Sequence, residues 1–184
     1  LEVFRLAVPG IARLGMLRSA DAGVVSQAEL ATMRSWLEHT AHPRIEVIES
    51  VARDADDVER AAESLAAAEI DAIWIPIDIT IYRNVDAVRR AVGVHRLPLL
   101  TTAAAGVEHG AMVGAIPDYP LHGRRAAMLA VDVLLHGKRP RDLPIDRMAG
   151  GLVIANLDAA DRLGIEFPLS LLVLADRLIQ EGGR

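Results

Sequence analysis

Cysteine is absent from the 184 residues, which removes disulfides, thiolate nucleophiles and cysteine-held metals. Aromatic residues are scarce, with two each of Trp, Tyr and Phe. An Ala-, Leu- and Val-rich chain so poor in aromatics favours helices packed on a sheet. No apolar run approaches the roughly 18 residues that a membrane helix needs. The glycine-rich loops Gly-x-Gly-x-x-Gly and Gly-x4-Gly-Lys-Ser/Thr are both missing, which argues against nucleotide binding by those mechanisms. The Gly-x-Ser-x-Gly elbow of one hydrolase class is missing too. A formal charge of −5 argues against nucleic acid, because phosphate binding needs a clustered basic face. The basic clusters Arg89-Arg90, Arg124-Arg125 and Lys138-Arg139-Pro140-Arg141 read as solvated helix ends. The chain opens at Leu1 without a visible signal peptide, so an N-terminal part is expected to be missing, by processing or by design.

What is present is ordinary for a folded protein: 52% hydrophobic and 24% charged residues, in a length that suits one domain, or one domain with an appendage. The organising stretch is Asp71 to Asp78, Asp-Ala-Ile-Trp-Ile-Pro-Ile-Asp. It is a short β-branched and aromatic run closed by a carboxylate, with helical patterns before it (Asp56–Glu69) and after it (Val85–Val94). A strand between two helices is the unit of a parallel sheet, buried on both faces. Further strands are predicted at Ala12–Arg18, Arg44–Ser50, Leu97–Thr102 and Ala111–Ile116. Ser26 is expected to cap the helix after the first strand, with Glu29 completing a capping box. Asp54 or Asp56 is expected to cap the helix after the second, and Ile79–Asn84 reads as a loop. The strand–helix alternation over the first 116 residues means α/β with a mainly parallel sheet.

Beyond that point the rhythm changes. Leu121–His136 is a strong helix between Pro120 and Gly137. Lys138–Pro144 reads as a linker and Ile145–Ile154 as a last strand interrupted by Gly150-Gly151. Asn156 or Asp158 caps a short helix stopped by Gly164, and a final helix runs from Leu169 to Ile179, with a frayed polar end at Glu181–Arg184. The domain reading is 1–117 as the α/β domain, 118–144 as crossover helix and linker, and 145–184 as a returning strand with C-terminal helices.

The polar residues collect at the predicted strand ends: Ser19 and Asp21, Asp78 and Thr80, Thr101 and Thr102, Asp118 with Tyr119. In a parallel sheet these ends share one edge, and ligands of open α/β sheets bind there. Hydroxyls, carboxylates and a phenol around a crevice suit a small polar or zwitterionic ligand, with Asp78 pairing an ammonium group. Asp78 has a plainer reading as a turn or helix cap. No nucleophile–base–orienter set is evident, so binding rather than turnover is expected, with no cofactor. The acidic residues Asp54, Asp56 and Asp57 suit a helix N-terminus, and His39 with His42 lacks an accompanying acidic pattern, so no metal is expected.

The tail carries a signature: Val153-Ile-Ala-Asn156-Leu-Asp-Ala-Ala-Asp-Arg-Leu-Gly164-Ile-Glu-Phe-Pro168, then Leu172-Val-Leu-Ala-Asp176-Arg-Leu-Ile179. It resembles the C-terminal pattern of a family of ABC-importer substrate-binding proteins. Tyr119-x-x-x-Gly123-Arg, Leu134-x-x-Gly137-Lys-x-Pro140, and Val8-Pro-Gly10 ahead of Arg13-Leu-Gly-Met-Leu17 resemble the same family. The resemblance covers nearly the whole chain. It departs at Ala159, where most members have Thr, at the extra Ala155, and at Ile79, where a polar residue is usual. It implies a periplasmic-binding fold of type I, two α/β lobes hinged around a ligand cleft, with this chain starting after the first lobe. Helix Leu121–His136 would then pack on that lobe. By position Asp78 matches the family's second-lobe cleft Asp, Ser19 is a further candidate, and Asp118 with Tyr119 fall at the crossing between lobes, where a hinge role is equally open.

The resulting expectation is a solute-binding component of an ABC importer, in the periplasm or outside the cell, held at the membrane through a part not in this chain. It would capture a small polar or amino-acid-like ligand and deliver it to a permease. A ligand-sensing domain of a regulator or receptor with the same fold is the alternative, and an enzyme with a flavodoxin-like sheet is the third reading. One lobe alone would expose apolar surface, so the isolated chain is expected to self-associate.

Overall fold

A computed structural model describes residues 1–39, 45–147 and 150–180. A seven-stranded sheet runs through it in the order β2-β1-β3-β4-β5-β6-β7. The strands are β1 Arg13–Ser19, β2 Glu46–Ala52, β3 Ala72–Ile75, β4 Leu99–Thr101, β5 Val113–Ile116, β6 Leu152–Asn156 and β7 Arg177–Ile179. All neighbouring pairs are parallel except β5 with β6, which run antiparallel with Val113 opposite Ala155. The inner strand β3, between β1 and β4, is buried along its whole length, as a strand covered by helices on both faces must be.

Helices cover both faces. On one lie α1 (Glu2–Ala7), α2 (Val24–His39), α8 (Leu157–Leu163) and α9 (Leu169–Leu174). They bury Phe4, Leu30, Met33, Ala160 and Leu171 against Leu14, Met16, Trp74, Leu100 and Val113. On the other lie α3 (Val58–Ala66), α4 (Ile79–Arg83) and α5 (Val85–His95), which bury Val58, Leu65, Ile81, Val88 and Val92 against Leu17, Ile73, Ile75 and Leu99. Each fully buried aliphatic side chain contributes about 1.5–3 kcal/mol. Buried positions 58, 61, 62, 65 and 66 of α3 and 85, 88, 91 and 92 of α5 follow the 3.6-residue period, so the apolar stripe in the sequence is what docks each helix. The short helix α6 (Ala104–Glu108) brings Val107 against Ile116 and Ile154.

Helix α7 (Tyr119–Leu134) differs: it has no buried residue along its 16 positions. Met128 is 70% and Leu134 78% exposed, and Val131 and Leu135 are exposed beside them.

The structure corrects several sequence expectations. Residues 79–83 form a helix rather than a loop, because Asp78 caps them. Helix α2 begins at Val24, so Ser26 and Glu29 lie inside it rather than forming a capping box; both bond across to Ile77. The N-cap of α3 is Asp57, not Asp54 or Asp56. Its carboxylate is drawn to Arg53 and Arg60, and Asp54 accepts the Asp57 N–H. Of the strand expected over 145–154, the described residues form strand only from Leu152, in β6, which runs on to Asn156. Asn156, not Asp158, caps α8 by accepting the Ala159 N–H at 2.9 Å. The helix expected over 169–179 stops at Leu174. Asp176 N–H donates to the Val153 carbonyl at 2.8 Å while its carboxylate accepts the Val153 N–H at 2.7 Å. That two-way clamp lays residues 177–179 beside β6 as strand β7. The helix after the first strand is expected to end near His39–Pro43, and α2 reaches His39. The rest of that expected end, the strand start at Arg44 and the frayed Glu181–Arg184 lie outside the described residues.

Candidate functional site

The parallel register brings the carboxyl ends of β1, β3, β4 and β5 to one edge, and the antiparallel β6 starts there at Leu152, opposite Ile116. Ser19, the segment Ile77–Thr80, Thr101–Thr102 and Asp118–Tyr119 all follow or close these ends. The edge that sequence reasoning assembled is therefore a spatial unit.

Its members divide by burial. Asp78 is 3% exposed, and its carboxylate is fully engaged. Oδ2 accepts the Ser19 N–H at 2.6 Å and the Ser19 hydroxyl at 2.9 Å. Oδ1 accepts the N–H groups of Thr80 at 3.0 Å and Ile81 at 3.2 Å. Asp78 is thus the N-cap of α4 and also ties the end of β1 to it. A buried carboxylate is tolerable here because several donors replace the lost water.

Thr101 is buried as well. Its hydroxyl accepts the Ala103 N–H at 3.1 Å and lies 2.6 Å from the Tyr82 hydroxyl, which donates to the Ile75 carbonyl at 3.1 Å. Burial, the largest cause, raises the Tyr82 pKa above its ordinary value and outweighs the Thr101 hydrogen bond, so the phenol stays protonated. Gly106 packs on Thr101: a Cβ there would sit 2.7 Å from Oγ1.

The accessible groups are different residues. Thr80 and Asp118 are half-buried and Tyr119 is exposed, as is Asp21. Asp118 accepts the Leu121 N–H at 2.8 Å and caps α7. The Tyr119 ring sits edge-on to His122, with centroids 6.2 Å apart. A cavity of about 480 Å³ opens beside them, lined by Glu29, Thr102, Ala115, Pro117, His122 and Gly151 among others.

Glu29 is the site residue that sequence reasoning assigned elsewhere. It accepts the Ile77 N–H at 2.8 Å, while Ser26 donates to the Ile77 carbonyl at 2.6 Å. Together they fasten α2 to the loop that carries Asp78. Burial raises the Glu29 pKa, opposed by the Ile77 N–H. The nearby Thr102 hydroxyl also opposes the rise. The local signal Ser26-x-x-Glu29 is identical for a capping box and for this pair, and only the position of Ile77 separates them. No group of three or more potential ligands that could hold a metal occurs among the described residues.

The sheet is doubly wound and mostly parallel, and its open polar edge lies where ligands of such sheets bind. The chain belongs to the family described as ABC transporter substrate binding protein, whose pattern it matches over residues 1–179. It is 24% identical over 166 residues to a tyrosine-binding protein of Clostridioides difficile, covering 90% of this chain and 46% of that one. An ABC domain from Streptococcus pneumoniae solved in complex with L-Trp superposes with TM-score 0.77 at 25% identity, covering 97% of this chain and 58% of that one. A ligand-free, open substrate-binding protein with adhesive properties from Clostridium difficile superposes with TM-score 0.78 at 20% identity, covering 98% and 59%. The chain therefore spans about half of these relatives and corresponds to one lobe of them.

Proposed function

We propose that this chain forms one half of a solute-binding component of an ABC importer, capturing a small amino-acid-like solute at the strand-end edge for delivery to a permease. The observation that carries the reading is the pairing of that polar edge with α7, a helix unburied along its whole length. A helix with exposed Met128, Val131, Leu134 and Leu135 needs a facing partner, and a second lobe supplies both that partner and the other wall of a cleft. The relatives that carry L-Trp or are named for tyrosine point to amino acids as the solute class.

Within this reading the six candidate residues divide the work. Thr80, Asp118 and Tyr119 contact the solute, because they are the accessible ones. Ser19, Asp78 and Thr101 hold the strand ends in place, because their polar atoms already bond one another or the backbone. Two lobes closing on the solute give the closed form that docks on the permease.

The test is a thermal-shift and calorimetric screen of L-tryptophan, L-tyrosine and aliphatic amino acids on the two-lobe protein. Saturable stabilisation by at least one of them is expected, weakened about tenfold by Tyr119→Ala. Absence of binding by every amino acid would reject the solute class. Unchanged affinity in Tyr119→Ala and Thr80→Ala would reject the assigned contacts.

A further inference from the structure

The indole Nε1–H of Trp74 has no hydrogen-bond partner, although the residue is 2% exposed. An unpaired buried donor costs roughly 1–3 kcal/mol. Buried Trp N–H groups usually find an acceptor. Trp74 lines a cavity of about 400 Å³ between α1, α2 and the sheet, with Phe4, Met33, Trp36, Ala115 and Glu29. The Thr102 hydroxyl, also buried and unpaired, lines the same space. The cavity shares Glu29, Thr102 and Ala115 with the strand-end cavity, but its floor is the inner face of the sheet rather than its edge.

We propose that this cavity is a second binding pocket, for an uncharged molecule with an aromatic or branched apolar body and a single hydroxyl. The apolar lining of Phe4, Met33 and Ala115 takes the body. The hydroxyl oxygen accepts the Trp74 Nε1–H, and the hydroxyl O–H donates a hydrogen bond to the Glu29 carboxylate, one oxygen of which already accepts the Ile77 N–H. The fit is set by complementary deficits, an unpaired donor and a carboxylate beside the same space. A carboxylate-bearing molecule is disfavoured, because it would meet Glu29 across a water-poor space. Filled, the pocket joins α1 to α2 next to the loop carrying Asp78. The pocket does not depend on the solute assigned above.

The probe is 2-phenylethanol, followed through the indole N–H resonances of the 184-residue chain, with Trp36→Phe assigning the two tryptophans. A saturable downfield shift of the Trp74 N–H is expected. Ethylbenzene, which lacks the hydroxyl, should bind about tenfold more weakly, and phenylacetate should not bind. Glu29→Gln keeps an acceptor for Ile77 and should admit phenylacetate. Ala115→Leu should fill the space and abolish the shift. No saturable shift with 2-phenylethanol overturns the pocket. Equal affinity for ethylbenzene overturns the role of Trp74, and phenylacetate binding to the unaltered chain overturns that of Glu29.

Discussion

Ser19 and Asp78, 59 positions apart in the chain, meet at the end of β1, where both the N–H and the hydroxyl of Ser19 bond the Asp78 carboxylate. The same carboxylate caps α4, so one side chain fixes the relative height of two strand ends. Removing the Ser19 hydroxyl leaves its backbone bond intact, so Ser19→Ala should cost about 1–2 kcal/mol. Asp78→Asn turns one acceptor oxygen into an NH₂ group facing buried donors and should cost more, about 2–4 kcal/mol. Urea midpoints at unchanged m-value measure both. An Asp78→Asn variant as stable as Ser19→Ala would mean the carboxylate does not organise the edge.

Asp57 titrates in the opposite sense to Glu29. The Arg53 side chain first, with its backbone N–H and Arg60 adding to it, holds the Asp57 pKa well below the carboxylate range. The folded state therefore binds fewer protons than the unfolded one. The stabilisation is fully present above the ordinary carboxylate value of about 3.9 and is lost as pH falls below it toward the folded value. The melting temperature of the parent chain should exceed that of Asp57→Asn at pH 7, and the gap should shrink by pH 3. A gap independent of pH would exclude this linkage.

Gly151 lies where β6 begins, and a Cβ there would collide with the backbone carbonyl of Ile116. The obstacle is main chain and cannot rotate away. Gly151→Ala should therefore destabilise by about 1–3 kcal/mol by prising β6 from β5. Amide exchange of β6 N–H groups should speed up more than that of β3. Uniform exchange in both strands would contradict a local origin.

The exposed stripe of α7 predicts behaviour of the chain on its own. Concentration-dependent self-association is expected in light scattering, because unpartnered apolar surface seeks cover. Met128→Glu with Leu134→Glu should reduce it without changing the secondary structure seen by circular dichroism, since neither side chain is buried. A monodisperse monomer at high concentration would count against the exposed helix as an associating surface.

The sequence was sufficient where one local pattern admits one physical outcome. The apolar run at 72–75 between two stripes of helical period specifies a buried parallel strand. Gly164, with φ +72°, ends α8 as a left-handed cap. The alternation of such units is by itself enough to put Ser19, Asp78, Thr101 and Asp118 at one edge. Local pattern failed where a side chain had two partners to choose from. Ser26 and Glu29 carry capping-box spacing yet bond Ile77, a residue about 50 positions away. Residues 177–179 continue a helical apolar pattern yet pair with β6, because Asp176 reaches Val153. The division of the edge into buried framework and accessible groups was likewise decided only in three dimensions. Whether a hydroxyl or carboxylate is free to meet a solute depends on which donors the fold brings within 3 Å or so of it, and those donors come from elements distant in sequence.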